Sequence, residues 1–87
     1  MGKSKTKIER VQTGVRLEKR ILKVLKAVAS EKEMSLGNLI EGIVLHSFDG
    51  KLPFGKDTLS FIDAMKSAHK LDLTSDDSHK LVEISKS

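Results

Sequence analysis

The side chains with chemistry to offer are cations, and they crowd one end of the chain. Residues 1–34 hold ten Lys and Arg against four Glu, a balance of +6, whereas residues 35–87 hold six Lys and eight acidic residues, a balance of −2. A basic half on a near-neutral body suits a polyanion such as nucleic acid, and it equally suits a plain solubilising tail. Other chemistry is scarce. Cysteine is absent, so neither a disulfide nor a thiolate zinc site can form. His46, His69 and His79 lack metal-ligand spacing, and no order of Ser, His and Asp suggests a nucleophile triad. There is no glycine-rich phosphate loop. No enzyme activity, metal or cofactor is expected.

Elements must position those cations. Residues 1–7 are polar, basic and without periodicity, and are expected to form a disordered arm. Its lysines are followed by no apolar run, so it does not read as a signal peptide. No stretch approaches ~18 consecutive apolar residues, so no membrane span is expected and a cytoplasmic protein is. From Val11 the pattern alternates. Val11, Thr13, Val15 and Leu17 fall on one face and Gln12, Gly14 and Arg16 on the other, which predicts a short strand. It is nearly the only strand-like stretch, and a strand's backbone groups need a partner. The same strand from a second copy, related by a two-fold axis, is the natural one. A homodimer also suits a chain of 87 residues with three Phe, no Trp and no Tyr, which is short of core.

After Leu17 the period becomes helical. Ile21, Leu22, Leu25, Val28 and Ala29, widened by Val24, predict a helix over about 18–32, with Lys and Arg20 on its other face. None of the favoured N-cap residues stands at its start. Ser35 is a good N-cap for a second helix over 36–48, carrying Leu39, Ile40, Ile43, Val44 and Phe48. Gly42 inside it costs ~1 kcal/mol relative to Ala, and close approach of another backbone is the expected compensation. Asp49-Gly50 makes a turn and Pro53 sits in a loop. Asp57 or Thr58 is expected to cap a third helix reaching about Lys70, with Phe61, Ile62 and Met65 on one side. Ser75 is expected to start a short helix carrying Leu81 and Val82.

Residues 11–44, VQTGVRLEKRILKVLKAVASEKEMSLGNLIEGIV, resemble the ribbon-helix-helix family of small bacterial and plasmid DNA-binding regulators. The resemblance implies a mostly helical dimer around an intermolecular two-stranded antiparallel ribbon. It places the module at 11–50, the basic arm at 1–10 and a C-terminal helical extension at 51–87. It implies a repressor-like regulator whose ribbon enters the major groove of double-stranded DNA. Gln12, Gly14 and Arg16 would then face base edges, where Arg suits guanine and Gln suits adenine. Ser35, Leu36, Gly37 and Asn38 would hold a phosphate at a helix N-terminus, and Lys3, Lys5, Lys7 and Arg10 would add phosphate contacts. Val11, Thr13, Val15, Leu17, Leu25, Leu39, Ile40 and Ile43 would form the dimer core. Two positions depart from the pattern: Gly14 has no side chain to read with, and Glu33 stands where the family often places Gly.

Two other readings remain. An antitoxin-like protein would use residues 57–87 to bind a protein partner. An adaptor with no nucleic-acid role would merely solvate its basic end.

Overall fold

The computed structural model describes residues 5–84. Helix α1 spans Lys19–Glu31, α2 spans Leu36–Phe48 and α3 spans Lys56–Ala68, and a 3-10 turn spans Ser75–Asp77. The fold is all-α, with no β-strand among the described residues. This corrects the expected ribbon-helix-helix fold, because a ribbon cannot exist without strands. Alternation at 11–17 supplies the side-chain pattern of a strand but not its hydrogen-bonded neighbour. Among the described residues, residues 5–17 make no backbone–backbone hydrogen bond. They carry no regular structure and lie exposed, with Val11 at 79 % and Val15 at 74 % of full exposure.

Local chemistry sets where each helix starts. Glu18 caps α1: its Oε1 accepts from the backbone N–H of Arg20 and of Ile21, both at 2.9 Å. The Ile21 hydrogen bond, with help from the Arg20 guanidinium, holds this carboxyl below its ordinary range. Ser35 caps α2 as expected, accepting from Asn38 N–H at 3.1 Å. Helix α3 starts earlier than Asp57 or Thr58 suggested, on Gly55, with no side-chain cap. In the C-terminal region Thr74, not Ser75, is the cap, and only a 3-10 turn follows, so Leu81 and Val82 are not on a helix.

All three helices stop in the same way. After α1, Met34 N–H reaches Ala29 O at 3.0 Å and Glu33 N–H reaches Ser30 O at 3.0 Å. After α2, Lys51 pairs with His46 O and Gly50 with Ser47 O. After α3, Leu71 pairs with Lys66 O and Lys70 with Ser67 O. Each is a Schellman stop, which requires a left-handed residue just past the helix. The residues are Glu33 (φ 55°), Gly50 (φ 70°) and Lys70 (φ 55°). Glu33 thus adopts the left-handed conformation that glycine takes more cheaply.

Helix α1 packs against both α2 and α3. Val24, Val28, Ala29 and Leu39 form the buried centre, surrounded by half-buried Leu25, Met34, Ile43, Phe54, Phe61, Ile62, Met65 and Leu71. The third helix therefore shares the core of the first two. Among the described residues Gly42 has no close neighbour: none of their atoms outside the helix backbone lies within 4 Å of where its Cβ would be, so the expected backbone approach is not found among them.

Helix α2 is apolar almost all round, a composition that belongs to a buried helix. Its own chain covers only one side. Leu39 is buried, but Val44, Leu45 and Phe48 are exposed, Phe48 at 80 %, as is Leu52 just beyond. Ile40, Val44 and Phe48 recur every four residues and so share one stripe.

Candidate nucleic-acid interface

On α1 the sequence separates charge from core at helical period. Lys19, Lys23 and Lys26 are spaced by four and three residues, so they stand on one face, opposite Val24 and Val28. All three are exposed. Lys5, Lys7 and Lys32 are exposed too, and no lysine is in an ion pair among the described residues. The helix is amphipathic in an ordinary way, with its outer face cationic and unneutralised. Such a surface attracts phosphates and gives them several donors in a row.

The arginines are arranged differently. Arg10 makes a two-pronged pair with Glu41 on α2, Nε to Oε2 at 2.8 Å and Nη2 to Oε1 at 2.7 Å. The hydrogen bond from Arg10 holds the Glu41 carboxyl below its ordinary range. Arg16 pairs with Glu83 in the same two-pronged manner, with Nε donating to Oε1 at 3.2 Å and Nη2 to Oε2. Arg20 donates to Glu18 at 3.0 Å, to the Lys70 carbonyl at 2.9 Å and to Asp72 at 3.1 Å. Arg10 and Arg16, both expected at the DNA, are thus engaged by carboxylates of their own chain.

The remaining expected residues are scattered. Gln12 and Gly14 lie in the exposed irregular segment beside Arg16, and Thr13 and Leu17 are exposed as well. Leu39 is buried, while Leu25, Ile40 and Ile43 are half-buried. Ser35, Leu36, Gly37 and Asn38 form the first turn of α2, with the Ser35 hydroxyl already accepting from Asn38. The exposed carboxylate of Glu33 stands two residues earlier and disfavours an anion there. Lys3 lies outside the described residues. Sequence reasoning gave little weight to the lysine face of α1, although its signal, Lys at i, i+4 and i+7, was present. It could not foresee the arginine pairs, whose partners lie 31 and 67 residues away.

No pocket lined by convergent catalytic groups accompanies this surface among the described residues. Among them, too, no cluster of His, Asp or Glu could hold a metal ion, and no helix is long and apolar enough to cross a membrane. Comparison of the chain with protein-family profiles, curated proteins and solved structures finds no match in any of the three.

Proposed function

We propose that the chain binds double-stranded DNA as a homodimer and serves as a transcriptional regulator. The observation that carries the reading is the row of Lys19, Lys23 and Lys26 on the outer face of α1, exposed and without carboxylate partners among the described residues. With Lys5 and Lys7 they supply phosphate contacts, which give affinity and register but no sequence information. Gln12 and Arg16, in the adjoining exposed segment, are the side chains suited to adenine and guanine edges. Without a ribbon to carry them, they act from an irregular segment.

The dimer part of the proposal rests on α2. A helix apolar on most of its circumference, with Val44, Leu45 and Phe48 exposed, has its burial only half completed by its own chain. Its single acidic side chain, Glu41, is already neutralised by Arg10, so no unpaired charge opposes docking of a second copy there.

Fluorescence anisotropy with a labelled duplex, titrated at several salt concentrations, tests the DNA reading. Lys19→Ala/Lys23→Ala/Lys26→Ala should weaken binding to every duplex. It should also flatten the logarithmic salt dependence by about 2.7, at ~0.9 for each phosphate no longer neutralised. An unchanged slope would reduce the lysines to a solvated face. Sedimentation equilibrium checks the assembly, and a monomer at tens of micromolar refutes the dimer.

A further inference from the structure

The acidic end of the chain returns to its basic end. Beyond α3, residues 70–84 return to the start of α1, and they face it in two ways. Leu71, Leu73 and Leu81 line an apolar groove of about 470 Å³ together with Ile21, Leu25 and Ile62. At one end of this stretch, Asp72 and the Lys70 carbonyl take the guanidinium of Arg20. At the other, Glu83 takes that of Arg16 through both of its oxygens. The two arginines flank the start of α1, next to the lysine face. A carboxylate accepting two parallel N–H groups from arginine occupies the donors that a guanine edge or a phosphate would otherwise take.

We infer that the C-terminal segment is a built-in competitor for nucleic acid, seated through Leu71 against the core and holding Arg16 and Arg20 with Glu83 and Asp72. The inference rests on the DNA reading proposed above. It gives residues 70–84 a regulatory role. A duplex must displace Glu83 to recruit Arg16, so affinity is held below what the cations alone would give. Anything that lifts the segment away from Arg16 and Arg20 increases DNA binding. Exposed ion pairs are weak, so the restraint is a graded one of about two- to fivefold.

The test is a double-mutant cycle on the full chain, read by anisotropy with a labelled duplex. Glu83→Gln should tighten binding about two- to fivefold. In an Arg16→Ala background the same substitution should change nothing. Leu81→Ser, which removes an apolar side chain from the groove wall at a half-exposed position, should shift affinity in the same direction with the helical circular dichroism unchanged. A gain of equal size with and without Arg16 would make the effect one of bulk charge and overturn the inference. So would binding identical to wild type in Glu83→Gln while the wild type binds well, an outcome that leaves the DNA reading standing. Failure of every variant to bind any duplex would remove both.

Discussion

Helices α1 and α2 are each thirteen residues long and adjoin through one tight turn, yet they dispose of their side chains in opposite ways. In α1 the core residues Val24, Val28 and Ala29 face inward and Lys19, Lys23 and Lys26 face out, so a single chain completes its burial. In α2 apolar residues occupy nearly every direction, and only Leu39 is buried. The contrast shows which surfaces are finished within one chain. The outer face of α1 is at home in water and free to meet ions, whereas the outer face of α2 exposes apolar area that a partner would remove from water.

Substitutions on α2 can break this distinction. Leu39→Ala, at the one buried position, should cost ~2–5 kcal/mol in a denaturant titration, because it empties part of the shared centre. Phe48→Ser, on the exposed stripe, should move the stability of the isolated chain by less than ~0.5 kcal/mol. It should nevertheless abolish any rise of the melting midpoint with protein concentration. Similar losses of intrinsic stability for the two would show that the faces are not distinct. Gly42→Ala should stabilise by ~1 kcal/mol, since the site has open space and a helical backbone. Destabilisation there would mean that another backbone does approach, in the assembled protein.

The smallest expected effect concerns the start of α1. Glu18→Ala should lower the melting temperature modestly at neutral pH. The folded carboxyl titrates below its unfolded range, chiefly because Ile21 N–H donates to it. Its contribution is therefore complete above the unfolded value and is lost as pH falls through the lowered one. The gap between wild type and variant should hold constant from about pH 7 to 5 and shrink below about pH 4. A gap that persists in acid would assign the cap to hydrogen bonding without charge.

What the sequence made legible was local. The range of α2 and its Ser35 cap could be read because apolar spacing and the cap hydroxyl act within a few residues. Glu18 was missed as a cap because its longer side chain is not among the favoured types, although here it reaches two backbone donors. The strand at 11–17 failed for a different reason. Alternation reports which faces side chains would occupy, but a strand exists only when a second one pairs with it, and the described chain has none. The candidate site divided likewise. The lysine face of α1 follows from spacing, whereas the capture of Arg10 and Arg16 depends on residues brought from afar by the tertiary fold.

The repeated stop at the ends of α1, α2 and α3 bears on how quickly this chain finds its fold. Each stop is closed by hydrogen bonds reaching back no more than five residues, as from Met34 to Ala29 or Leu71 to Lys66. Helix boundaries can therefore be set on the sub-microsecond to microsecond scale of helix formation, before distant parts of the chain meet. The slow step left is docking α1 against α3 across the intervening α2, and a topology built this way belongs with fast-folding helical domains rather than with sheets. Substituting Gly for Glu33 or Lys70 would ease the left-handed residue at a helix end.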